Sequence, residues 1–452
     1  MKTIQYLDTE TISTPDARIE ATVYNSGFEH AYDSFNGVTS ASDGRIYYIL
    51  SSTLIDVAGQ MYSFDPKTKI IEHLGDLTNA CGEKNMKAVA QGKSHVNFVE
   101  SNGKLYFATH GGYYNIVDGL EITGGLIDGF KEYQGGHILA FDIKNKTFED
   151  LCIAPHKEGI ITMNMDTTRG LIYGLTWPNG YLFRYDLAKK ERTDFGPFTL
   201  KGEAGTMGND FRVLCRSIAI DPRDGTAYLT NAEGQIKCIK VGQDSVEILE
   251  GENMKKDYFG SYDPSTTRGM AYNWRQTFWN ASEKQIYGIH GNSGYLFSFD
   301  PLAPRIKILE RLTSIPSRLT GMKDQFRFGY LGFQLGPDCR TIYYLTGAPV
   351  YIDGKQVLPT TPTDIAAAAT FEDLHLITYD LPTGRYLDHG GIFFPDGQRA
   401  QHVNSIAVGN DGTIYCTSRV TYEGKTRVDL ISIPNPFKNG TWPAPASGAL
   451  QN

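Results

Sequence analysis

GYLFRYDLAKKERTDFG, residues 180–196, reads as a strand of alternating apolar and polar residues, a turn at Asp-Leu, and a second strand. That is the pattern of a β-hairpin. The phrase recurs as GQMYSFDPKTKIIEHLG from Gly59, GHILAFDIKNKTFEDL from Gly136, GYLFSFDPLAPRIKILERL from Gly294 and LHLITYDLPTGRYLDHG from Leu374. A degenerate copy starts at Gly234 (GQIKCIKVGQDSVEILE) and a truncated one at Arg427 (RVDLISIPNP). Ahead of each stands another hairpin, such as HVNFVESNGKLYFATH (95–110) or RSIAIDPRDGTAYLTN (216–231). There a strand of small and apolar residues meets a turn rich in Asp, Asn and Gly, and a Tyr-bearing strand follows.

Units of four strands recurring every 40 or so residues predict propeller blades. Seven are legible, so the expected fold is all-β: one seven-bladed β-propeller, four antiparallel strands per blade, spanning 1–452. The blades fall at about 36–75, 94–152, 159–196, 215–250, 268–312, 327–390 and 402–437. The last lacks a full outer strand, and ARIEATVYN (17–25) is expected to supply it, closing the ring and removing open edges. A β-sandwich array would not place glycine-aromatic hairpins so regularly.

Composition agrees. Aromatic residues make up 12% of the chain and there are 48 glycines, which suits short strands joined by tight turns. A net charge of −8 with no basic run argues against nucleic acid as a partner. No stretch approaches the roughly 20 apolar residues of a membrane-spanning helix. A monomer is expected. The N-terminus shows no apolar leader, which fits a cytoplasmic protein, although a leader removed on secretion would leave the same chain. The six cysteines are scattered without metal-type spacing and read as reduced thiols.

Connections at 76–93, 111–135, 197–214, 251–267, 313–326 and 347–372 are long, and long loops in a compact fold tend to be functional. In a propeller they emerge on the same face. The first strand of each blade starts at that face and the second ends there. His95 and His110, at the two ends of one hairpin, are therefore expected side by side near the axis. The equivalent first-strand starts are Asn36, Ile160, Arg216, Arg268, Arg327 and His402; second-strand ends include Trp177 and His290. A ring so rich in His and Arg implies an anionic ligand, because guanidinium forks match carboxylate or phosphate. Trp177 or Tyr113 could stack on a sugar face.

No GxSxG elbow, HExxH or P-loop is present. The acid pairs of glycosidases are absent from these positions. His, Tyr and Arg remain, and they suit β-elimination on a uronic acid. An Arg neutralises the carboxylate and so acidifies the neighbouring C–H, while His or Tyr moves protons.

SHVNF (94–98), YFATH (106–110) and HGGYY (110–114) resemble the seven-bladed propeller polysaccharide lyases. The nearest are rhamnosyl-α-1,4-glucuronate lyases that act on arabinogalactan side chains; ulvan lyases are more distant. Related propeller α-L-rhamnosidases act on the same linkage. The resemblance implies an acidic glycan substrate and His95 and His110 as the acid/base pair. It implies a catalytic Tyr, with Tyr113, Tyr114 and Tyr173 as candidates and Tyr173 preferred. It also implies Arg216 as a carboxylate clamp, while the ring of strand ends and its aromatics give Arg268, His290, Arg327, His402, Trp177 and Tyr113 as the expected substrate-binding residues. No cofactor is required, although some members hold a structural ion, such as calcium, in the channel. The alternatives are a rhamnosidase, which hydrolyses, and a propeller that binds acidic glycans without catalysis.

Overall fold

The structure is a computed structural model and describes residues 18–32, 35–117, 120–267, 269–319, 332–349, 351–352, 355–356, 372–401 and 403–437. Seven antiparallel blade sheets form a ring, a seven-bladed β-propeller. Blade three shows the plan, with strands Gly159–Asp166, Leu171–Trp177, Tyr181–Asp186 and Glu191–Pro197 in simple up-and-down order from axis to rim. Blade two runs Val99–Ser101, Lys104–Ala108, His137–Asp142 and Thr147–Ile153, with an extra hairpin, Tyr114–Val117 and Leu120–Thr123, between its second and third strands.

The recurring phrase has a local cause. In most copies an Asp at the end of the third strand turns the chain: Asp65, Asp186 and Asp300 accept the backbone N–H two residues on, at 2.8, 2.9 and 3.0 Å. The glycine-aromatic pairing also has one. Gly174 and Gly288 sit opposite Phe183 and Phe297 on the next strand, and a Cβ at either glycine would come within 2.5 and 2.4 Å of the ring. Only glycine lets these rings lie across the sheet between blades.

The ring closes as expected, with one difference. Thr22–Tyr24 pairs antiparallel with Lys425–Ile433 as the outer strand of blade seven. Arg18–Glu20 does not continue that strand. It pairs parallel with Arg385–Phe393 as a fifth strand on blade six. Ala21, fully buried, donates its N–H to the Phe393 carbonyl at 2.8 Å and marks the crossing between the blades. The segment expected as one strand is therefore two short ones that tie neighbouring blades together.

Inner strands carry bulges at their upper ends. The register slips between Ile160 and Thr162 in blade three, and between Trp274 and Gln276 in blade five. A bulge re-aims the extra side chain. In blade five that residue is Arg275.

Candidate functional site

Lys93 and His110 exchange both backbone hydrogen bonds, at 3.1 and 2.8 Å, where the inner hairpin of blade two reaches the loop-bearing face. His95 follows two residues later. The two imidazoles stand side by side, ring centroids 5.9 Å apart, both buried. Phe35 covers His95 at 4.4 Å and Trp177 covers His110 at 5.2 Å. Gly159 lets His110 lie close, since a Cβ there would meet the ring at 2.7 Å.

Both histidines are held neutral. Burial lowers the His95 pKa well below the ordinary imidazole value, and the charges of Lys93, His110, Arg216 and Arg275 push the same way. Burial and Lys93 do the same to His110, against a bond to the Gly111 carbonyl. That bond, 2.7 Å from Nδ1, fixes the neutral tautomer with its proton on Nδ1. Nε2 of His110 is then a bare lone pair. It has no hydrogen-bond partner, and neither has Nδ1 of His95.

Among the described residues three cations lie near the pair. Lys93 is almost wholly buried, its ammonium 4.3 Å from the ring centres of both Phe35 and Tyr114 and 3.4 Å from Glu121 of the extra hairpin. Arg216 donates to Glu203 at 2.5 Å and to the Leu214 carbonyl at 2.8 Å. Glu203 also accepts from the Trp177 indole at 3.0 Å and the Leu214 amide at 3.0 Å. Arg275 is the third. Its Nε has no partner, and its guanidinium touches the Met270 sulfur at 3.3 Å. Burial brings its pKa down to about 9, and Arg216 adds to the effect.

Asn36 bridges the axis, donating to the His95 carbonyl at 3.3 Å and accepting from Gln276 at 3.1 Å. Asn36, Arg216 and Gln276 line a channel cavity of about 110 Å³ with Asn97, Thr162 and Asn164. Its lining offers amides, the hydroxyls of Thr162, Ser217 and Thr277, and a guanidinium. Among the described residues no three His, Cys, Asp or Glu side chains cluster to hold a metal. Calcium takes amide and carbonyl oxygens as well as carboxylates, and here it would rest on neutral amide and hydroxyl oxygens beside the Arg216 charge, with no carboxylate among the described lining residues.

The structure brings His95, His110, Arg216 and Trp177 together. Trp177 is no open sugar platform, however: it is buried, with its N–H taken by Glu203. Tyr113 stands at the base of the extra hairpin, its ring against Gly124. His290, opposite Trp274 in blade five, is stacked on Phe259 at 4.2 Å with Nδ1 2.8 Å from the Ser293 hydroxyl and Nε2 without a partner. Tyr173 is not among the residues brought together around the His95–His110 pair. It is fully buried at mid-strand, and its hydroxyl points to the Gly225 carbonyl, 3.5 Å away in a turn on the opposite face. Arg268, Arg327 and His402 lie outside the described residues.

Sequence reading missed Lys93, Glu203 and Arg275. Lys93 precedes His95 by two, a spacing that alternation would place on the same side. The bulge hid Arg275, because without it the arginine falls out of phase with the other inward residues. Glu203 lies in a connection that carries no periodic signal.

The fold has structural counterparts. A streptogramin B lyase structure superposes with a TM-score of 0.51 at 11% identity, covering 92% of this chain and 97% of that one. A virginiamycin B lyase from Staphylococcus aureus gives 0.51 at 9% identity, covering 92% and 98%. No protein-family model matches the chain, and no curated protein does. At these identities the likeness is one of fold.

Proposed function

We propose that the protein is a lyase that opens a uronide linkage of an acidic glycan by β-elimination. In its most specific form the linkage is rhamnose-α-1,4-glucuronate. The observation that carries this reading is the neutral His95–His110 pair, each with an unpartnered ring nitrogen, beside fixed cations. A neutral imidazole is a competent base, and nearby positive charge favours an enolate-like anion over its neutral precursor. His110 takes the C5 proton at Nε2. The C5–H electrons form the C4=C5 double bond, the C4–O4 bond breaks, and the proton leaves on O4. Arg216 and Lys93 lie close enough for their charges to act on the pair. That two solved propellers of similar fold are named lyases is consistent with the reading.

The test is ultraviolet absorbance from the new double bond during incubation with gum arabic, for the wild type and His110→Gln. A rise in the wild type that falls at least about 100-fold in the variant is expected for a general base. Free rhamnose without the absorbance would replace elimination with hydrolysis. Neither signal would favour a non-catalytic binder, a reading to which the burial of both imidazoles lends weight.

A further inference from the structure

Arg275 presents a physical problem that the elimination reading does not need and does not solve. Its side chain is more than nine-tenths buried, at 8% exposure. Its Nε has no hydrogen-bond partner, and its described polar contact is to the Met270 sulfur, a weak acceptor. Among the described residues the carboxylate that acts on it is Glu203, which is already bonded to Arg216, Trp177 and the Leu214 amide. An uncompensated interior charge is strongly destabilising. A buried guanidinium is therefore expected to have a counter-anion.

The surroundings define where that anion sits. Arg275 is the bulged residue of blade five, and Gln276 beside it is tied through Asn36 to the backbone of His95. Arg216 acts electrostatically on both Arg275 and His95, so the three groups share one region of the channel mouth. His95 contributes a second unpartnered buried atom, Nδ1. A donor fork with a free N–H, a second guanidinium and an imidazole that can hold its proton on the unpartnered Nδ1 make a seat for a compact monoanion.

We infer that Arg275, with Arg216 and His95 beside it, forms a binding site for one small monoanion at the mouth of the channel. The occupant is either the carboxylate of an acidic sugar or a free halide. The site stands whether or not elimination occurs.

Titration calorimetry in halide-free buffer tests it, with sodium glucuronate, sodium chloride and the neutral methyl glucoside as separate titrants. One equivalent of at least one anion is expected to bind the wild type, with no heat from the neutral sugar. Arg275→Met, which replaces the charge by an apolar chain of similar reach, should weaken that binding about tenfold or more. Arg275→Lys, should the Met variant fail to fold, keeps a charge but loses the fork and should bind more weakly than the wild type. Glucuronate binding identifies the carboxylate as occupant. Chloride binding without glucuronate makes the site a halide seat and counts against the uronide reading while leaving the site intact. Binding of neither anion to the wild type, or equal binding to Arg275→Met, overturns the inference. Glucuronate binding with no product from gum arabic would sink elimination alone.

Discussion

His110 shows how burial and a single hydrogen bond set chemistry at one residue. The Gly111 carbonyl holds the proton on Nδ1, and burial with Lys93 keeps the ring uncharged. A free imidazole titrates near 6.5. In the folded protein the neutral, basic form survives to a lower pH. Two consequences have opposite signs. The rate constant kcat/KM should stay flat as pH falls through 6.5 and drop only well below it. Stability should begin to fall at about 6.5, because the unfolded chain binds protons there that the folded one refuses. His110→Gln should remove only its own share of that acid loss, since burial lowers His95, His290 and His389 in the same way, while abolishing turnover. Paired pH–rate and pH–melting profiles would check this. A kcat/KM limb at the ordinary imidazole value would remove the premise that the base is held neutral by burial.

At the scale of elements, the site is made where connections meet strand ends. The 197–214 connection delivers Glu203, which pulls Trp177 of blade three and Arg216 of blade four onto one carboxylate. Glu203 and Arg216 are both nearly buried, with side-chain exposures of 11% and 12%. Losing one partner of such a pair leaves a charge uncompensated. Glu203→Gln should therefore destabilise the fold by about 3 kcal/mol in urea unfolding, whereas replacing a surface pair such as Lys240–Glu247 should change it by well under about 1 kcal/mol. Equal effects would mean that the channel mouth is wetter than the structure shows.

The same contrast explains what the sequence reveals. Asp186 and its counterparts mark a turn by local chemistry, and Gly174 faces Phe183 within one sheet, so the blades are legible from short-range pattern. The His95–His110 juxtaposition follows from a single hairpin. Arg275 does not, because a bulge shifts its phase and period-two reading has no means to see it. Tyr173 misleads for a related reason. A Tyr-bearing second strand is the repeat's own signature, and in blade three that tyrosine serves the contact between blades.

For the whole molecule, the decisive step is closure. A propeller blade buries its faces against both neighbours, so a ring that opens exposes two faces and a strand edge together. Thr22–Tyr24 covers the edge of Lys425–Ile433, while Arg18–Glu20 grips blade six. The junction is reinforced on the polar side. Tyr24 bonds Ser432 at 3.1 Å, and the Ser26 amide donates to both oxygens of the buried Asp429 at 3.1 Å. A chain starting after residue 27 loses all of these and leaves blade seven with three strands. It should melt at a markedly lower temperature and associate through the exposed Lys425–Ile433 edge. Light scattering and thermal melting would report both effects. Adding back residues 16–27 as a separate peptide should reverse them, because the missing strand pairs through backbone bonds and a register that a free peptide can also adopt. Rescue by that peptide, but not by one with Val23→Pro, whose missing N–H and fixed φ oppose pairing with Ile431, would establish that closure works through strand pairing. An unaltered, monomeric truncated chain would show that packing between blades holds the ring without it.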